Sequence, residues 1–150
     1  MRRREVKPGL RSSEVMQPIL LDTCAIIFSV TQQLKTSASD ILERVEQDDT
    51  GVFVSPISAW EIGLLVSRGQ LIISTSPEIW FSAVLQAGAK LAPMGPDVLI
   101  ASSFLPASGL RDPADRIIAA TARICGYRLM TRDCPLLDYA AEGHLKAIAC

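Results

Sequence analysis

Two short runs of this 150-residue chain, Ile19-Leu20-Leu21 and Val52-Phe53-Val54, are apolar at every position rather than at every second one. A strand with one face in water alternates, whereas an unbroken apolar run needs cover on both faces. Segments with apolar residues at helical spacing separate these runs. Strands alternating with helices define a parallel sheet packed on both sides. The expected fold class is α/β: three layers, with a central, mostly parallel sheet of four to five strands flanked by helices.

Caps and stripes bound the elements. Ser37 to Asp48 carries Ile41, Leu42 and Val45 at three-to-four spacing, with Ser37 or Ser39 as cap. Ser55 caps a helix that starts at Pro56 and runs to Gly69, with the stripe Ile57, Trp60, Leu64 and Leu65. Gln70 to Ile73 is expected to be extended. Pro77 to about Ala87 reads as a helix with the stripe Ile79, Trp80, Ala83, Val84 and Ala87. Lys90 to Pro93 is a candidate third strand, Pro96 to Phe104 a helix, and Leu105 to Arg111 a loop. Asp112 caps a helix that begins at Pro113, carries Ile117, Ile118, Ala120, Thr121 and Ile124, and stops at Gly126. Tyr127 to Met130 is the fourth strand, Asp133 to Tyr139 a short helix, and Leu145 to Ile148 a final edge strand.

A chain of this length forms one domain with a substantial core, and 49% hydrophobic with 21% charged residues fits a globular protein. The net charge of −1 gives no general attraction to nucleic acid. Cys24, Cys125, Cys134 and Cys150 form no Cys-x-x-Cys pair, so they read as free thiols in a reducing, cytoplasmic setting. Cys24 and Cys125 are expected inside, Cys134 and Cys150 outside. Residues 15 to 30 are rather apolar after a basic start. Gln17, Pro18, Asp22 and Thr23 interrupt them, which argues against a signal peptide or a membrane span. Residues 1–17 read as a flexible basic extension and 18–150 as the domain, with Met16 directly before the first strand region. Deleting residues 1–15 is expected to leave folding and activity intact, and a large fall in melting temperature would refute this.

Four acids stand where a strand hands over to a helix or a loop opens one. Asp22 closes the first apolar run, and Glu61 lies early in the helix after the second. Asp115 stands at the head of the helix opened by Asp112-Pro113, and Asp133 follows the strand that ends at Met130. In an open parallel sheet, the carboxyl ends of the strands share one edge, and ligands bind in the crevice outside it. Four carboxylates there repel one another unless some hold protons or a cation joins them. Oxygen-only ligands select a hard ion, Mg²⁺ or Mn²⁺. Each acid alone has an ordinary explanation as a helix cap or turn residue. Capping does not explain all four falling on one rim, and Glu61 is past the first turn of its helix.

The segments Leu20-Leu21-Asp22-Thr23-Cys24-Ala25-Ile26-Ile27, Val54-Ser55-Pro56-Ile57-Ser58-Ala59-Trp60-Glu61, Asp112-Pro113-Ala114-Asp115-Arg116 and Leu129-Met130-Thr131-Arg132-Asp133 occur in this order. Together they resemble the PIN-domain ribonucleases, and within them the VapC toxins of bacterial toxin–antitoxin pairs. The resemblance runs from about residue 18 to 140. It implies a PIN-like fold and a metal-dependent endoribonuclease. By it, Asp22, Glu61 and Asp115 fall on the family's three core acids and Asp133 on its fourth. Thr23, Ser55 and Thr131 match polar residues that support those acids, and Asp112 matches a neighbour suited to helix capping. It further implies RNA as substrate, a homodimer, and a VapB-type antitoxin that blocks the acidic pocket.

Phosphodiester hydrolysis needs an activated water and positive charge on the phosphoryl and leaving oxygens. A metal lowers the pKa of water, so no histidine base is required. The single histidine, His144, lies outside the matched segments and is expected on the surface. Arg111, Arg116 and Arg132 flank the proposed site and are candidates to hold RNA phosphates; Arg123 and Arg128 read as solvated surface. Two other readings stay open. One is a non-catalytic RNA- or protein-binding module that keeps the fold. The other is a receiver-like phosphoacceptor domain, which wants adjacent acids after the first strand and a late lysine. Here Asp22 stands alone, and Lys146 is the only late lysine.

Overall fold

The unbroken apolar runs lie at the centre of the sheet. The computed structural model describes residues 17–106 and 109–150. The stretch 1–16 and two residues of the loop before Arg111 lie outside the described residues, and with the former most of the expected N-terminal extension. Strands β1 (Ile19–Leu21), β2 (Val52–Val54), β3 (Lys90–Leu91), β4 (Arg128–Thr131) and β5 (Ala147–Ala149) form one sheet in the order β3-β2-β1-β4-β5. Every pairing is parallel. The register aligns Leu21 with Val54 on one side and with Met130 on the other. The chain builds outward from β1 through β2 to β3, then returns to β1's other side with β4. The crevice between β1 and β4 is thus the topological switch point of the sheet.

The strands need no alternation because both faces are covered. Ile19, Leu21, Val52, Val54, Met130 and Ile148 point into one core, shared with helices α1 (Thr23–Val30), α2 (Thr36–Gln47) and α4 (Pro77–Gln86). Leu20 and Leu129 point into the other. There they meet Ile118, Ala119 and Ala122 of α6 (Pro113–Cys125), and Leu136 and Tyr139 of α7 (Cys134–Ala141). Period two is present in each strand, but both phases are apolar. Helix α3 (Pro56–Ser67) leaves the end of β2, and α5 (Pro96–Ser103) packs on α6. Among the described residues no helix is long and apolar enough to cross a membrane.

Several local expectations are corrected. Helix α1 begins directly at Thr23, with Asp22 as its cap. Its apolar residues run nearly all round it, so no stripe marks it in the sequence. Gln70 to Ile73 forms no strand. Helix α2 begins at Thr36 after Lys35, without a side-chain cap from Ser37 or Ser39. The inward face of α3 is Ser58 and Ile62, and Trp60 is 55% exposed. On α4, Phe81 is buried while Ile79 is 60% exposed, although Trp80 and Val84 do pack on the core. Cys150 is buried rather than exposed, Cys134 is exposed as expected, and Cys24 and Cys125 are only partly buried. His144 is partly buried, stacked on Tyr139, with Glu142 3.6 Å from its Nε2.

Candidate functional site

The topology brings the four acids together. Asp22 follows β1 and Asp133 follows β4, so both lie at the carboxyl edge of adjacent strands. Helix α6 leads into the amino end of β4, which leaves its own first turn, with Asp115, at that same carboxyl edge. Glu61 is the sixth residue of α3, which departs from the end of β2. Asp22, Glu61, Asp115 and Asp133 line one cavity of about 360 Å³, with Thr23, Cys24, Ile27, Phe28, Leu65 and Arg132. A larger cavity of about 490 Å³ lies at the opposite, amino edge of the sheet, around Arg123, Tyr127, His144 and Lys146. Its lining among the described residues holds no carboxylate. Chemistry rather than size therefore selects the acidic cavity.

Hydroxyl groups fix the acids from behind. Thr131 Oγ1 donates to Asp22 Oδ2 at 2.7 Å and accepts from the Asp133 backbone N–H at 3.0 Å, so one buried side chain couples two of the acids. Thr23 Oγ1 donates to Glu61 Oε1 at 2.6 Å and stands 2.9 Å from Ser58 Oγ. The contact with Ser58 was not evident from the sequence. The match between a small polar residue on α3's inward face and a threonine at the start of α1 needs the fold to be seen. Cys24 Sγ lies 3.3 Å from Asp22 Oδ2. Ser55 is buried, and its Oγ accepts from Ile57 N at 3.2 Å. It caps the helix that carries Glu61 and bears on the acid only through that helix.

The capping explanation is also correct for two of the four acids, Asp22 and Asp133, and it does not compete with the site. Asp22 caps α1 by accepting from Thr23 N at 2.7 Å, and Asp133 caps α7 through Leu136 N at 3.2 Å. Asp112 accepts from Asp115 N at 3.0 Å and so caps α6, outside the cavity lining. Helix N-termini point at the cavity, and their partial positive charge favours anions there.

Electrostatics sets these carboxyls apart. Burial raises the Asp115 pKa to about 8, and the neighbouring carboxylates of Asp133, Asp22, Asp112 and Glu61 add to the shift. Burial also raises Glu61, with Asp22, Asp112 and Asp133 adding to it, against the hydrogen bond from Thr23. Asp22, only 5% exposed, is raised by burial and by Asp133, although the bonds from Thr131, Cys24 and Thr23 oppose this. Charges of one sign in a partly dry cavity create a demand for protons or a cation.

The donor set fits a hard divalent ion in kind, being carboxylate oxygen throughout. Among the described residues, however, no three His, Cys, Asp or Glu side chains stand close enough together to hold a metal ion as they are. A hard ion that keeps several of its waters takes only one or two carboxylates directly, so it does not require three within reach.

The arginines divide. Arg111 is exposed and stands outside the cavity lining, next in sequence to the Asp112 cap. Arg116 is turned to backbone, its Nε donating to Ser102 O at 2.8 Å and Nη1 to Leu110 O at 2.7 Å. It ties the end of α5 to the loop before α6. Arg132 lines the cavity, with its guanidinium on two carbonyls and a ring. Arg123, expected in solvent, is exposed but also donates to the His144 carbonyl.

Comparison with known proteins bears on the family and the fold. The PIN domain profile matches residues 19–141, and the chain belongs to the PIN domain family. Over 120 residues it is 28% identical to Ribonuclease VapC22 of Mycobacterium tuberculosis, covering 79% of this chain and 88% of that protein. Its fold is similar to that of VapBC2 from Rickettsia felis bound to a promoter DNA fragment, with a TM-score of 0.63 and 13% identity. That match covers 89% of this chain and 98% of the other. DNA-bound VapBC from Salmonella typhimurium is similar with a TM-score of 0.58 and 18% identity, over 89% and 98% of the two chains. At such identities these two likenesses concern the fold alone.

Proposed function

We propose that this chain is a metal-dependent endoribonuclease, the VapC-type toxin of a toxin–antitoxin pair acting in the cytoplasm. The observation that carries the reading is the convergence of Asp22, Glu61, Asp115 and Asp133 on one cavity at the switch point, three of them with raised pKa. The similarity to a protein named a ribonuclease supports RNA as the substrate. The likeness to VapBC complexes supports a VapB-type antitoxin partner, and we extend it to a homodimer. The basic residues 1–17 are proposed as an extension that the reaction does not need.

Asp22, Glu61, Asp115 and Asp133 would hold Mg²⁺ or Mn²⁺, directly or through water. The ion, when bound, supplies positive charge for the phosphoryl oxygens and lowers the pKa of the attacking water. The chain's own residues do the rest. Thr131 fixes the orientation of Asp22 by donating to its carboxylate, and Thr23 does the same for Glu61. Orienting groups of this kind matter because a carboxylate that rotates freely cannot hold a ligand at a fixed distance. Ile27, Phe28 and Leu65 give the cavity an apolar wall that thins the water around the acids. Arg111 is the remaining candidate among the flanking arginines for an RNA phosphate.

The separation of the carboxylates favours one second reading, a PIN fold kept for binding without cleavage. Incubating antitoxin-free protein with total RNA and with transfer RNA, with and without Mg²⁺ or Mn²⁺, separates the two. Discrete fragments that need the metal are expected. Bound but uncut RNA, from folded and metal-loaded protein, would favour the binding module.

A further inference from the structure

Arg132 directly precedes Asp133 and lines the acidic cavity, the position of a residue that would grip a phosphate. Its contacts describe a different task. Nε donates to the Cys150 carbonyl at 2.8 Å, and Nη2 donates to the Gln33 carbonyl at 3.1 Å. The guanidinium carbon sits 3.8 Å from the centre of the Phe28 ring. These partners belong to two segments far apart in the sequence: the residue after β5, and α1 with the turn that directly follows it.

Phe28 and Cys150 connect this tether to the acids. Phe28 is cavity wall. The turn after α1, to which Arg132 Nη2 donates, contains Gln32 at φ 56, a left-handed conformation that side chains other than glycine seldom adopt. Cys150 continues β5, and its N–H donates to Thr131 O at 3.1 Å, the threonine that joins Asp22 to Asp133. Arg132 itself lies between Thr131 and Asp133 in the chain, so its side chain ties the backbone that carries both to the surrounding walls.

We propose that Arg132 is a positioning residue of this site. Its planar fork holds β5, the α1–α2 turn and Phe28 against the 131–133 loop, and so keeps Thr131 and Asp133 in register with Asp22. It does not act as the cation that receives RNA phosphate, although solvent reaches it. The consequence for turnover rests on the nuclease reading; the tether does not.

Lysine separates the two tasks. An ammonium neutralises a phosphate as well as a guanidinium does, but it cannot bridge two carbonyls while stacking on a ring. The test uses the full chain with Arg132→Lys and Arg132→Gln, followed by amide hydrogen exchange and by RNA cleavage at several salt concentrations. In both variants residues 31–35 and 147–150 are expected to lose protection. Turnover per folded molecule is expected to fall by about 10–100-fold. KM and its salt dependence stay as in the wild type, and lysine gives no rescue. Wild-type turnover in Arg132→Lys, with raised KM and a flatter salt dependence in Arg132→Gln, would overturn the proposal in favour of phosphate contact. Unchanged protection in both segments would remove the tether. Unchanged turnover per folded molecule, with only a lowered melting temperature, would reduce Arg132 to a stability role. If the wild type cuts no RNA, the nuclease reading fails, while the exchange data still decide the tether.

Discussion

Asp115→Asn is expected to lower RNA cleavage by on the order of a thousandfold or more, while making the metal-free protein more stable above neutral pH. The two effects have opposite signs for one physical reason. Asp115 is held among carboxylates whose charges, with burial, push its pKa to about 8. That crowding is an electrostatic cost of folding, and an isosteric neutral amide removes it. The same charge is what a divalent ion would require, and an amide oxygen is a weaker ligand that cannot neutralise it. A residue kept for stability loses stability when replaced; a residue kept for the site loses activity and gains stability. Asp22→Asn is expected to match the loss of cleavage but not the gain. The Asp22 carboxylate accepts from Thr23 N–H, from Thr131 and from Cys24, and an amide cannot accept all three. Undiminished cleavage in either variant, with circular dichroism unchanged, would sink the assignment.

The second large effect is a pH dependence of stability that a divalent ion reverses. The folded-state pKa of Asp115 is raised from 3.8 to about 8, so between these values the folded state holds a proton that the unfolded chain has released. Stability from this group is present in full below the lower value and is lost as pH rises through the upper one. Asp22 and Glu61 are raised as well and act in the same direction. Without metal, the melting temperature should therefore fall as pH rises toward 8. An ion that binds the ionised acids competes with protons, so its stabilisation grows over the same window. Mn²⁺ at a hundredfold excess over its dissociation constant should add about 2.7 kcal/mol, which is roughly 5–10 °C for a chain of this size. Melting curves across pH, with and without Mn²⁺, check this. A metal-free stability that climbs through the window would contradict the assigned directions.

The layer arrangement was legible in the sequence because the strands at the centre of the sheet announce themselves by lacking polar positions. Leu20 and Leu21 both being apolar means two covered faces, and the structure supplies two cores. The four acids were legible for a related reason: strand ends in a parallel sheet share an edge, so positions far apart in the chain become neighbours. Proline marked the starts of α3, α4 and α6 correctly, and Ser55 and Asp112 cap as expected.

What stayed hidden depends on packing. Helix α1 carries apolar residues on most sides and so has no direction to read; its only local signal is the Asp22 cap. The faces of α3 and α4 were legible only in part: Ile57, Trp80 and Val84 pack on the cores as expected, whereas Trp60 and Ile79 are exposed. Ser58 and Ile62 face inward on α3, and Trp60 does not. The arginines could not be sorted by sequence distance from the acids. Arg116 and Arg132 are drawn to carbonyl groups whose positions follow from how loops close, 99 residues apart in the case of Gln33 and Arg132. Proximity in sequence to an acid says little about whether a cation is available for a substrate.

A calorimetric titration of Mn²⁺ into the metal-free protein at neutral pH, alongside Asp22→Asn and Asp115→Asn, tests the central claim most directly. The account predicts saturable binding to the wild type with release of protons, because an ion displaces them from acids with raised pKa, and binding weakened or lost in both variants. Absence of saturable binding by folded wild-type protein, or equal binding by all three, would contradict a cation site formed by these carboxylates.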